Sequence, residues 1–181
     1  IVLVCVKAYD THAALTHALP AITRRTTVLT LQNGLGNIEI LCGEVAPEQV
    51  LAGTTAHGAT RVSTWLIRHA GIGETVIGAV HPAGRSRLQA VGKFLNDAGI
   101  RTMPAEDITG VLWGKLLVNA GINPLTAIMR IKNGQILESP PLESIMRQAV
   151  HEGRQIADAL GIALPYPDPV GRVTEVCRAT A

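Results

Sequence analysis

Three segments at the start of the chain restrict its fold more than any other feature. "IVLVCV", residues 1 to 6, is continuously apolar, as in a central strand buried on both faces. "DTHAALTHALPAI" follows, with Ala14, Leu15, Ala18 and Leu19 at helical spacing and Asp10 or Thr11 available as N-cap. "TTVLTLQ" is then β-branched and apolar and reads as the next strand. Strand, helix and strand within about 30 residues make a βαβ crossover, and hence a parallel sheet with helices packed on it. An opening directly on a buried strand, without an initiator Met, also suggests that Ile1 is not the natural N-terminus.

Further along, "NGLGN" precedes a short helix over "IEILCGEV", and "VLAGTTAHGAT" reads as another strand. Gly71 and Gly73 lie between two short apolar runs in "WLIRHAGIGETVIGA", which suggests a hairpin closing one edge of the sheet. A helix over "RLQAVGKFLNDA" stops at Gly99, and "IRTMP" is a short strand. Beyond residue 105 strand signals fade. Residues 107 to 122, 124 to 133 and 141 to 160 read as helices, the last sending Ile145, Ala149, Ile156 and Leu160 toward a core. After the proline-stiffened "LPYPDPV", Asp168 can cap a final helix. The reading is thus an α/β domain over residues 1–105 and a helical domain over 106–181.

At 181 residues the chain is long enough for one domain or two small ones. Its 47% hydrophobic and 17% charged residues describe a globular chain, not a disordered one. Nucleic-acid binding has little support, because 16 basic and 14 acidic residues leave a net charge of only +2 with no basic block. No apolar run is long enough for a membrane span, and the signal-peptide pattern is absent. Cys5, Cys42 and Cys177 are far apart, without zinc or disulfide spacing, and the six histidines show no metal pattern, so no metal site is expected. A reducing cytoplasm fits this cysteine usage best.

Three places could carry chemistry. In "VLWGKLLVNAGINPL", Lys115, Asn119 and Asn123 are each four residues apart, so on a helix they form one stripe drifting about 40° per step. They could face one ligand, or form the solvent side of an ordinary helix; Asn123, before Pro124, could also cap a new helix. In "QNGLGN", Gly34 and Gly36 permit positive φ between a parallel strand and a helix N-terminus, where ligands of open α/β sheets bind; a plain Asn-Gly turn reads the same way. Lys7 follows the first strand and sits at the same carboxyl edge, or is simply a surface lysine. No G-x-G-x-x-G fingerprint, G-x-S-x-G elbow or H-E-x-x-H motif occurs.

Taken together and in this order, "VKAYD", "LQNGLGN", "GTTAHGA" and "LWGKLLVNAGINPLTAI" closely resemble the ketopantoate reductase (2-dehydropantoate 2-reductase) family, over essentially the whole chain. The resemblance corresponds to the middle of a family member. Upstream the family carries its glycine fingerprint and a basic residue favouring NADPH; downstream it carries an N-x-S-S-M helix and a substrate-positioning Glu. The implied fold is a Rossmann-like parallel sheet, N-terminally incomplete, followed by an all-helical domain of the 6-phosphogluconate dehydrogenase type, C-terminally incomplete.

The resemblance implies NADPH-dependent reduction of 2-dehydropantoate to (R)-pantoate in pantothenate and coenzyme A biosynthesis. It makes Lys115 the general acid that protonates the carbonyl oxygen as hydride arrives, and gives Asn119 and Asn123 the substrate's hydroxyl and carboxylate ends. Asn33 and Gly34, at the glycine turn, and Lys7 match cofactor-side positions, as does Thr55 in "GTTAHG", near the cleft. Family members are often dimers. Two alternatives remain: a related 2-oxo acid reductase, or a non-catalytic or incomplete chain that binds NADPH poorly for lack of its first βαβ unit.

Overall fold

The computed structural model describes residues 1–181 and divides into two compact units, Ile1–Ile108 and Thr109–Ala181. The first is α/β. It contains β1 (Val2–Val4), α1 (Thr11–Ala18), β2 (Val28–Thr30), α2 (Asn37–Glu44), β3 (Val50–Thr55), β4 (Gly58–Arg61), β5 (Ile67–Gly71), β6 (Thr75–Ala79), α3 (Arg85–Asp97) and β7 (Thr102–Ala105). A five-stranded sheet has the order β1-β2-β3-β6-β7. β1, β2 and β3 are parallel, β6 runs antiparallel to β3, and β7 is parallel to β6.

Successive strand residues point to opposite faces, and both faces of the middle strands are covered. Val28 and Val50 join Val4, Leu15, Leu41 and Val45 in a core under α1 and α2, while Leu29 and Leu51 join Ile77, Leu88, Val91 and Leu95 under α3. That double burial is why "TTVLTLQ" and "QVLAG" are apolar without alternation. β1 is an edge strand, and its Leu3 stays 51% exposed.

The expected hairpin between the runs flanking Gly71 and Gly73 does not form. β5 pairs instead with β4 in a separate two-stranded ribbon, and β6 enters the main sheet between β3 and β7. β4 and β5 are joined through Val62–Leu66, where Val62 N–H donates to the Leu66 carbonyl at 2.8 Å. The stretch "VLAGTTAHGAT" therefore holds two strands, β3 and β4, not one.

The second unit is helical, built from α4 (Ile108–Met129), α5 (Pro140–Ala159) and α6 (Pro169–Ala179), with a short 3-10 turn at Asn133–Ile136. Ile122, Ile136, Met146, Val150, Val173 and Cys177 form its core. α6 starts as expected: Asp168 accepts from the Gly171 N–H at 2.9 Å, and Pro169 takes the first helical position. Two readings are corrected. The break at Asn123 is absent, because α4 continues through Pro124 as one helix, so Asn123 is an interior helical residue and not a cap. On α5 the core face is Met146, Val150 and Ala157, whereas Ile145, Ile156 and Leu160 are 49%, 53% and 62% exposed. Gly153 explains the one-position rotation: a Cβ there would run into the Leu117 side chain, so close approach of a glycine, invisible to an apolar count, selects the buried face.

Candidate active site

In the first unit, the carboxyl ends of β1, β2 and β3 lie along one edge, since the three strands are parallel. Lys7 follows β1, Asn33 and Gly34 follow β2, and Thr55 ends β3, so the structure brings four of the predicted residues to this edge. Gly34 has φ +91° and Gly36 φ +86°, with open space where a Cβ would be, so conformation and not crowding demands glycine. Gly36 is the N-cap of α2, and the turn thus delivers the chain into a helix N-terminus at the carboxyl edge of the sheet, the edge where open α/β sheets take ligands.

A polar network that sequence reasoning missed holds this edge. Gln32 Nε2 donates to the Val6 carbonyl at 2.7 Å and to Thr11 Oγ1 at 2.9 Å, and Gln32 Oε1 accepts from Thr30 Oγ1 at 2.9 Å. Thr11 Oγ1 donates to Asn37 Oδ1 at 3.1 Å, and Asn37 Nδ2 donates to the Asn33 carbonyl at 3.4 Å. Thr11 and Asn37 are buried, so Thr11 serves this network and not a cap. The available signal was a cluster of amide and hydroxyl side chains at both helix starts.

At the end of β3, Thr55 Oγ1 accepts from Thr75 Oγ1 at 3.0 Å and from the His57 N–H at 3.3 Å. The His57 and His69 rings are also joined, Nδ1 to Nε2 at 2.9 Å, while His57 Nε2 is buried without a hydrogen-bond partner. No group of three or more His, Cys, Asp or Glu side chains is arranged to hold a metal ion.

In the second unit, continuity of α4 through residue 123 puts Lys115, Asn119 and Asn123 on one stripe of a single helix. Lys115 and Asn119 are half-buried and Asn123 is exposed. The stripe borders the packed side of the helix, where Leu117 and Ile122 are buried. Burial lowers the Lys115 ammonium from the usual lysine range, because the charged form loses hydration. A half-buried lysine with lowered proton affinity, followed along the same stripe by two amides, offers a proton donor in line with neutral hydrogen-bonding groups. That set suits a substrate that develops negative charge on oxygen.

Sequence comparison gives the class to which this arrangement belongs. The chain is a member of the ketopantoate reductase family: residues 1–82 match the ketopantoate reductase PanE/ApbA family and residues 107–181 match its C-terminal part. Among individual proteins, it is 41% identical over 181 residues to the 2-dehydropantoate 2-reductase of Halobacterium salinarum, covering 100% of this chain and 59% of that protein. The chain therefore spans about three-fifths of the length of that curated relative. The crystal structure of 2-dehydropantoate 2-reductase from Geobacter metallireducens superposes with a TM-score of 0.89 at 26% identity, covering 98% of this chain and 59% of that one. The complex of D-mandelate dehydrogenase with NADH shares the fold, with a TM-score of 0.88 at 20% identity over 98% of this chain and 58% of that one. No helix is long and apolar enough to cross a membrane.

Proposed function

We propose that the protein reduces 2-dehydropantoate to (R)-pantoate with NADPH, in the cytoplasmic route to pantothenate and coenzyme A. Residues 1–105 are the dinucleotide-binding domain and 106–181 the substrate domain. Lys7, Asn33, Gly34 and Thr55 serve the cofactor. Lys115 is the general acid, and Asn119 and Asn123 hold the substrate's hydroxyl and carboxylate. The observation that carries this reading is the half-buried Lys115, with its lowered proton affinity, in line with two asparagines on one unbroken helix. Family membership and the name carried by the Halobacterium relative support the substrate.

When bound, the reduced nicotinamide supplies hydride to the ketone carbon. Negative charge then grows on the carbonyl oxygen, and the Lys115 Nζ stabilises it and delivers a proton to it. Burial serves this role because a less strongly held proton is transferred more readily near neutral pH, provided that the amine is still protonated. The two amides orient the substrate without adding charge of their own.

The test is turnover of the full-length protein against a panel of 2-oxo acids. Lys115→Ala is expected to lower kcat by about 10²- to 10⁴-fold. A strong preference for another 2-oxo acid would favour a related reductase. An unchanged rate in a folded Lys115→Ala variant would remove the lysine from the mechanism.

A further inference from the structure

β1 and β2 pair in register from Val2 opposite Val28 to Val4 opposite Thr30, and the ladder stops there. Continued for a few residues, the same register would set Val6 beside Gln32 and Lys7 beside Asn33. The Gln32 side chain takes over where the backbone ladder ends, with Nε2 on the Val6 carbonyl at 2.7 Å and on Thr11 Oγ1 at 2.9 Å. Its Oε1 is occupied by the Thr30 hydroxyl, which fixes the amide's orientation and aims both N–H groups across the gap. On the far side, Thr11 and Asn37 carry the network round to the Asn33 carbonyl. Lys7 directly follows the carbonyl that Gln32 holds, and Asn33 directly follows Gln32.

We propose that Gln32 is a positioning residue for cofactor binding: its amide sets the width of the crevice between the ends of β1 and β2, and with it the spacing of Lys7 and Asn33. The inference rests on the reading that Lys7 and Asn33 meet the cofactor. Gln32 acts through them and need not touch the ligand. A cofactor entering a crevice already held at its working width loses less free energy to ordering the loop ends.

The experiment is a fluorescence titration of the full-length protein with NADPH. Gln32→Met keeps the length and shape of the side chain without its hydrogen bonds, and Gln32→Glu keeps an acceptor for Thr30 while setting a second acceptor against the Val6 carbonyl. Gln32→Met is expected to raise the NADPH Kd roughly 5- to 150-fold, the range for losing the two neutral hydrogen bonds donated across the gap to Val6 and Thr11, with kcat at saturation within about twofold. Gln32→Glu is expected to raise it further. In a Lys7→Ala/Asn33→Ala background the same Gln32→Met change should cost less than about twofold, because its effect passes through those residues. A merely structural staple would cost as much in either background, and that additivity would overturn the proposal. So would an unchanged Kd in both Gln32 variants beside a raised Kd in Lys7→Ala and Asn33→Ala. An unchanged Kd in the Lys7→Ala and Asn33→Ala proteins would instead overturn the cofactor reading and this inference with it. Should Gln32→Met fail to fold, Gln32→Asn, whose amide falls short of Val6, carries the same comparison.

Discussion

The Tyr166 hydroxyl donates to the backbone carbonyl of Gly114, the residue immediately before Lys115. The contact ties the proline-rich connection ahead of α6 to α4 at the level of the proposed acid. Gly114 permits it, since a Cβ there would lie 3.0 Å from both Pro165 Cγ and the Tyr166 oxygen. Tyr166→Phe removes the hydrogen bond and little else. Chemical denaturation should show a loss of about 0.5 to 1.5 kcal/mol. Burial raises the Tyr166 phenol above its ordinary range, against a smaller opposing effect of Arg172. Its contribution is therefore complete below the unfolded-state value near 10 and is lost as pH climbs through the higher folded value. The difference between wild type and Tyr166→Phe should shrink at strongly alkaline pH, and a constant difference there would contradict this account.

Lys115 gives the opposite sign. Its ammonium is held less tightly in the folded chain than in the unfolded one, so the unfolded state binds more protons in the window between the lowered value and the ordinary one. This residue makes stability rise with pH through that window. Catalysis runs the other way, because the acid must carry its proton. A pH profile of kcat/KM should fall on the alkaline side at a pH below the ordinary lysine value, and Lys115→Arg, which stays protonated, should lose that limb in whatever activity it retains. An identical alkaline limb in Lys115→Arg would assign the titration to another group.

Asn119 should respond more strongly to an added charge than to truncation. Asn119 is half-buried one turn from Lys115, and Asn123 is exposed a turn further on. In the proposed reaction, Asn119→Asp replaces the amide that meets the substrate hydroxyl with a carboxylate, one helical turn from the oxyanion that Lys115 is to protonate. Steady-state kinetics should show kcat/KM reduced by roughly 10²-fold or more, with a milder loss of about tenfold for Asn119→Ala. Equal, small effects of Asp and Ala would mean that Asn119 does not face the substrate.

A fourth expectation concerns the sheet. Gly53 lies opposite Ile77 in the β3–β6 ladder, and a Cβ there would strike the Val76 carbonyl oxygen and come within 2.8 Å of Ile77 Cγ2. Backbone cannot swing aside as a side-chain tip can. Gly53→Ala should destabilise the α/β unit by about 1 to 3 kcal/mol, measured by thermal or denaturant unfolding. Full stability would show that β6 shifts freely against β3.

Features written in local chemistry were legible: the βαβ start, the positive-φ glycines at 34 and 36, and the Asp168–Pro169 helix start. What escaped depended on partners distant in sequence. Nothing in "WLIRHAGIGETVIGA" says that Ile67–Gly71 pairs backward with β4, because either neighbour offers a short apolar strand. Pro124 disfavours the α conformation at Asn123, yet the helix passes through it, so local preference is overridden within the packed unit. Gln32 stood beside the glycine turn as an ordinary polar residue, and only its reach to Val6, 26 positions away, reveals its place. The stripe of Lys115, Asn119 and Asn123 was readable as spacing. The burial that lowers the lysine's proton affinity was not.

The reversal of β6 against β3 has a practical corollary. Because β6 runs the other way, the corner at His81–Gly84 lies on the rim opposite Lys7, Asn33 and Thr55. A fluorophore attached at this corner would ride on the sheet without crowding the proposed cofactor side, giving a handle for watching the molecule bind.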